Sequence, residues 1–120
     1  SADFVTNSLD RGYLAIYTEE QFDLIRIQLN SLPGTDPLAR RLRRDIIGEA
    51  CRTQPDSQGR ISLTEELWQS IGVTAGDSVC LIDMGDSLQL CSERFYISEK
   101  EQEVPLSDLS LSDYAIRGIL

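Results

Sequence analysis

The chain has 120 residues, 41% of them hydrophobic and 26% charged, with 20 acids against 11 bases and a net charge of −9. That length allows one domain, or two small repeats sharing a core, and the composition is globular rather than disordered. The charge argues against a generic nucleic-acid coat or a polybasic membrane binder, and no apolar run reaches the roughly 18–20 residues of a membrane span.

There is no histidine, which removes Ser-His-Asp and Cys-His catalysis and His-ligated zinc. Cys51, Cys80 and Cys91 are odd in number and widely spaced, with no C-x-x-C. They read as buried reduced thiols rather than a disulfide framework or a Cys₄ metal site. No phosphate-binding glycine motif occurs. Asp83 and Asp86 flank a glycine turn and read as solvated loop acids, not a catalytic pair.

In chain order, 4–7 and 13–17 are short apolar runs around a turn-rich stretch, which predicts a β-hairpin. Thr18 is a good N-cap, and Phe22, Ile25, Leu29 and Leu32 recur at helical spacing, which predicts a helix over 19–31 that Pro33-Gly34 ends. Asp36-Pro37 opens a second helix with Leu38, Leu42 and Ile46 on one face. From Ile47 to Thr53 the pattern turns strand-like. A tight turn at 55–59 leads into a predicted strand at 60–63. Thr64 then caps a short helix carrying Leu67, Trp68 and Ile71, with Gly72 as its stop. A second hairpin is expected over 78–82 and 87–91, and Ser92 caps a last helix containing Phe95. Beyond about Val104 no period survives, and the segment reads as a tail that is weakly ordered or docks on a neighbour.

The two hairpins resemble each other. Leu14-Ala15-Ile16-Tyr17-Thr18-Glu19 aligns with Leu88-Gln89-Leu90-Cys91-Ser92-Glu93, and after a one-residue slip Gln21-Phe22 meets Arg94-Phe95. The second copy has a lead-in over 48–77 that the first lacks. The expectation is that a matching part of the first repeat is missing before Ser1.

Taken together, these segments resemble the MraZ family of bacterial regulators of the division and cell-wall gene cluster, which are built from two AbrB-like repeats. The resemblance rests on Gly12-Tyr13-Leu14-Ala15-Ile16-Tyr17-Thr18-Glu19-Glu20-Gln21-Phe22, on Leu32-Pro33 and on Thr35-Asp36-Pro37-Leu38-Ala39-Arg40-Arg41-Leu42-Arg43-Arg44. It continues through Gly59-Arg60-Ile61-Ser62-Leu63 to Gly85-Asp86-Ser87-Leu88-Gln89-Leu90. It implies an α+β fold of swapped-hairpin-type β-barrel repeats with short helices packed outside. The implied division is 1–33 for the end of a first repeat, 34–47 for an inter-repeat helix, 48–103 for a second repeat and 104–120 for a tail. The expected core includes Phe4, Leu14, Ile16, Phe22, Ile25, Ile61, Leu63, Leu67, Trp68, Ile71, Val79, Leu81, Leu88, Leu90 and Phe95.

The family signature is an Asp-x-x-x-Arg loop, present here once as Asp56-Ser57-Gln58-Gly59-Arg60. Aspartate at a turn start bonds backbone N–H groups two residues on, and glycine permits the positive φ that closes the turn. Either the loop is an ordinary hairpin turn with an ion pair, or Asp56, Gln58, Gly59 and Arg60 face DNA, as the resemblance implies. Arginine there can contact phosphate or a guanine edge. Residues 36–60 carry a local +2, against −3 before and −8 after. Arg40, Arg41, Arg43, Arg44 and Arg52 are candidates for phosphate contacts or intersubunit ion pairs, the latter preferred for the first four.

The expected function is thus a cytoplasmic, nucleoid-associated, non-enzymatic transcription regulator. It would bind double-stranded promoter DNA at short repeats as a ring-shaped homo-oligomer. No metal, cofactor, small-molecule substrate or membrane enters this reading. The rival readings are an oligomeric protein-interaction module without DNA binding and an AbrB-like antitoxin. The chain departs from the family in Pro55, which restricts the preceding strand to an edge, in the missing first loop, and in the tail.

Overall fold

The structure is a computed structural model and describes residues 2–114 and 116. Alternating apolar residues build two antiparallel hairpins, β1 (Asp3–Asn7) with β2 (Leu14–Thr18), and β4 (Val79–Asp83) with β5 (Leu88–Ser92). β2 pairs antiparallel with β5, and β3 (Cys51–Thr53) adds to the outside of β1. The sheet order is β3-β1-β2-β5-β4.

The α+β class is as expected, but the sheet is open rather than a closed barrel. β3 and β4 are its two edges. The predicted strand at 60–63 joins no ladder among the described residues. Its link to β3 is a side-chain bond, the Ser62 amide donating to Thr53 Oγ1 at 3.3 Å. Pro55 lacks an amide hydrogen, so the sheet hydrogen bonds cannot continue past β3, as the proline predicts.

The central β2–β5 register is symmetric about the pair Ala15–Gln89, with Leu14 opposite Leu90 and Ile16 opposite Leu88. Exchanging the aligned segments maps this register onto itself. The first turn spans 8–13 and the second 84–87, so the two hairpin registers differ by two residues. An even offset keeps each side chain on its original face.

Each hairpin runs into a capped helix. Thr18 accepts from the Gln21 amide, and the Gln21 side chain accepts from the Thr18 amide, starting α1 (Glu19–Asn30). Ser92 accepts from the Phe95 amide at 3.0 Å and starts α4 (Glu93–Gln102). The caps align Gln21 with Phe95, so the one-residue slip in the sequence alignment is not needed, and Tyr96 stands where α1 has Phe22.

Asp36 caps α2 (Pro37–Leu42), which continues as a π-helical turn over Arg43–Gly48. The chain is therefore helical through Gly48, and of the strand-like stretch expected over 47–53 only Cys51–Thr53 pairs as a strand. Side chains of β1 explain this: Thr6 Oγ1 donates to the Ile46 carbonyl and Asn7 Nδ2 to the Asp45 carbonyl at 2.8 Å, satisfying groups that a widened turn exposes. Thr64 caps α3 (Glu65–Ser70). Gly72, at φ 71°, ends it as the sequence indicates, with the Gly72 amide on the Gln69 carbonyl and the Val73 amide on the Trp68 carbonyl, both at 3.0 Å.

One sheet face buries Val5, Leu14, Ile16 and Leu90 against Leu67, Ile71 and Val73, with Ile61, Leu63, Trp68 and Leu88 partly buried around them. The other face carries Phe4, which stacks on Phe22 of α1 at 4.5 Å. Ile25 and Phe95 are half-buried. Val79 and Leu81 are not core: Leu81 is 60% exposed, because β4 is an edge strand and α3 covers only the middle of that face. Cys91 is buried and burial pushes its thiol up, while Cys51 and Cys80 are half-buried and all three are free. Beyond α4 a 3₁₀ turn at Leu106–Asp108 is followed by irregular chain as far as Tyr114. Of the apolar stretch 114–120, only Tyr114 and Ile116 lie within the described residues.

Candidate functional site

The Asp56–Arg60 segment leaves the sheet where β3 ends opposite Asp3. Its geometry is that of a closed carboxylate-centred turn. Asp56 Oδ1 accepts from the Gln58 amide at 2.8 Å and from the Arg60 amide at 2.9 Å, and Oδ2 accepts from Arg60 Nε at 2.8 Å. The Asp56 amide donates to the Arg60 carbonyl at 2.9 Å and the Gly59 amide to the Asp56 carbonyl at 3.0 Å. Gly59 sits at φ 80°, which only glycine adopts without strain.

One aspartate thus holds both the backbone and the side chain of Arg60. Hydrogen bonds from Arg60, first backbone and then side chain, outweigh desolvation and, with a further bond from the Gln58 amide, hold the Asp56 carboxyl below its ordinary value. Only Nε of Arg60 is engaged. Both Nη groups are without a partner among the described residues, and the side chain is 73% exposed. The guanidinium is therefore aimed by the loop while its outer edge can still donate to an external acceptor.

The remaining arginines do not join this loop. α2 and its π-turn pack against Thr6 and Asn7, at the end of β1 opposite Asp3. At about 3.3 Å per residue, four steps of β1 separate the two ends by roughly 13 Å. The local +2 of 36–60 is split between two places and is not one basic patch.

Within the helix the arginines also differ. Arg43 Nε and Nη2 donate to the Leu29 and Leu32 carbonyls at 3.1 and 2.6 Å, so this side chain ties down the end of α1. Arg41 pairs with Asp45 at 3.2 Å, and Arg40 donates to the Gly34 carbonyl at 3.2 Å. Arg44 is exposed with no partner among the described residues. Arg52 on β3 is exposed on the same sheet face as Phe4.

Two features were not read from the sequence. Asn7 bridges β1 to the Asp45 carbonyl and to the Glu49 carboxylate. Arg94 pairs with Asp77, whose carboxylate also accepts from the Thr74 amide and hydroxyl. The Asp77 carboxyl is held below its ordinary value, mostly by those Thr74 bonds. Among the described residues no cluster of His, Cys, Asp and Glu could hold a metal ion, and no helix is long and apolar enough to cross a membrane.

No family model matches the chain. Curated proteins do. The chain is 30% identical over 107 residues to the transcriptional regulator MraZ of Stenotrophomonas maltophilia, spanning 89% of this chain and 70% of that protein. It is 31% identical over 108 residues to the MraZ of Coxiella burnetii, spanning 87% of this chain and 70% of that one. To the MraZ of Xanthomonas campestris it is 28% identical over 107 residues. At 30–31% identity over 87–89% of its length, the chain belongs to the MraZ family.

Proposed function

We propose that this chain is a DNA-binding transcription regulator, not an enzyme, that reads short promoter repeats of the division and cell-wall gene cluster. The Asp56–Arg60 loop makes the contact, with Gln58 and Gly59 shaping it. The loop acts from a ring-shaped homo-oligomer in the cytoplasm, at the nucleoid. The two hairpin–helix units are the two repeats, at 1–33 and 48–103, with the arginine helix between them.

One observation carries the reading: a single carboxylate fixes Arg60 through backbone and Nε and leaves both Nη groups exposed. A pre-aimed guanidinium loses little entropy on meeting a phosphate or a guanine edge. The relatives' shared name, transcriptional regulator, points the same way.

One such loop binds DNA weakly, about 10⁻⁴ to 10⁻⁶ M for contacts of the non-specific kind. Several copies meeting repeats at matched spacing raise the effective affinity by orders of magnitude. The acids Asp3, Asp83 and Asp86 lie at the same end of the sheet as the loop and disfavour phosphate on the surface beside it, which narrows the contact to the loop. A gel shift on the promoter of that gene cluster, titrated with salt and compared with the same DNA with its repeats scrambled, checks this. Retention of the native promoter alone is expected; equal retention of both DNAs, or of neither, contradicts it.

A further inference from the structure

We propose that Cys80 and Cys91 are a redox modification site, closing a reversible disulfide between β4 and β5 on exchange with a low-molecular-weight disulfide of the glutathione type. The proposal rests on neither DNA binding nor the ring.

The two thiols stand directly opposite each other in the β4–β5 ladder, and both are free. The Met84 amide donates to the Ser87 carbonyl at 2.8 Å, and the Glu93 amide to the Ser78 carbonyl at 3.0 Å. Hydrogen-bonded pairs recur at every second residue of an antiparallel ladder, so Cys80–Cys91 is one of them, counted from either end. The Cα atoms of such a pair are about 5.5 Å apart, within the span of a disulfide. Their side chains leave the sheet on the same face.

The pairing is selective. Cys51 lies opposite Val5 and packs on the core beneath α3. Leu90 belongs to that core, so the next residue, Cys91, points to the other face, and Cys80 with it. β3 and β4 are opposite edges of the five-stranded sheet, which sets them four strand spacings, or roughly 19 Å, apart. Cys51 reaches neither of the other two.

The two sulfurs differ in access. Cys91 is 0% exposed, and burial, followed by the neighbouring Cys80, pushes its thiol up. Cys80 is half-buried on an edge strand and is the one that meets the oxidant. Its thiolate attacks the small disulfide and expels one small thiol, leaving a mixed disulfide on Cys80. Cys91 gives up its proton and attacks Cys80 Sγ, expelling the second small thiol. Two protein S–H bonds are lost and one protein S–S bond forms. The small disulfide takes up the two electrons and two protons and leaves as two thiols.

A hydrogen-bonded pair holds its Cβ atoms roughly 1 Å farther apart than a relaxed disulfide does. Closing that gap strains the bond and makes it easy to reduce, which suits a labile link and not a permanent one. When closed, it fastens the edge strand β4 covalently to β5.

The test equilibrates the folded chain with oxidised glutathione, denatures and alkylates it, and counts the labels by mass. The reduced chain carries three thiols; after oxidation a single label is expected, with no added glutathione mass and no dimer mass. Cys51→Ser is expected to fall from two labels to none. Cys80→Ser and Cys91→Ala are expected to close no internal disulfide. Thermal melts check that both fold, and Cys80→Ser decides alone if the variant at the buried site does not. Excess reduced glutathione is expected to restore all three labels in the wild type. Three labels retained after oxidation overturn the proposal, as does a lasting glutathione adduct on the wild type or an internal disulfide in Cys80→Ser. A bond that excess reduced glutathione fails to reopen overturns its reversibility.

Discussion

Asp56 illustrates how one side chain sets a loop. Its two oxygens accept three hydrogen bonds within a five-residue turn, so the loop's order is linked to ionisation. The carboxyl is held below its ordinary value. A depressed folded-state value means the contribution is fully present above the unfolded value, about 3.9, and is lost as pH falls through the lower folded value. Acidification below that range is therefore expected to free the Gln58 and Arg60 amides while the sheet stays intact. Amide chemical shifts followed from pH 6 downward read this directly, and Asp56→Asn is expected to show the loosened loop already at neutral pH. Identical loop shifts in the two proteins at neutral pH would refute the role given to the carboxylate. The loop's existence was legible from Asp, Gly and Arg at fixed spacing. The pairing of Arg60 through Nε alone was not, because spacing does not say which nitrogen is used.

At the scale of elements, capping was the most readable signal. Thr18, Asp36, Thr64 and Ser92 all cap the helices expected of them, because a hydroxyl or carboxylate before an apolar period meets a local need of the backbone. Thr18→Ala is expected to lower stability by about 1 kcal/mol, read as a reduced midpoint in urea with unchanged slope. The segments that misled depend on distant partners. The stretch from Ile47 looks like a strand, but Thr6 and Asn7 hold the Ile46 and Asp45 carbonyls in a π-turn that runs to Gly48, so the strand begins only at Cys51. The 60–63 segment has strand residues but no adjacent strand to bond, so it stays extended beside Thr53. Val79 and Leu81 have the alternation of a covered strand, yet β4 lies at the sheet's edge and both stay exposed. Alternation reports which face a residue takes, not whether anything covers that face. Arg43 was grouped with its neighbours by charge, whereas its structural task is to hold the Leu29 and Leu32 carbonyls.

For the whole molecule, the net charge of −9 proves compatible with an arginine-based contact because the bases are dispersed. One arginine is aimed by the Asp56 loop and the helix arginines lie at the far end of β1. On the proposed reading, a protomer with one aimed guanidinium would bind DNA through number of copies, not through a broad basic surface. That makes Arg60 the residue on which the account turns. The deciding measurement is the affinity of Arg60→Ala for the repeat-bearing promoter, taken by fluorescence anisotropy across a salt series with the oligomer's mass checked. The account predicts binding at least about tenfold weaker, with a shallower salt slope, lower by about one for each loop that touches phosphate. An intact oligomer whose affinity and salt slope match the wild type would contradict it.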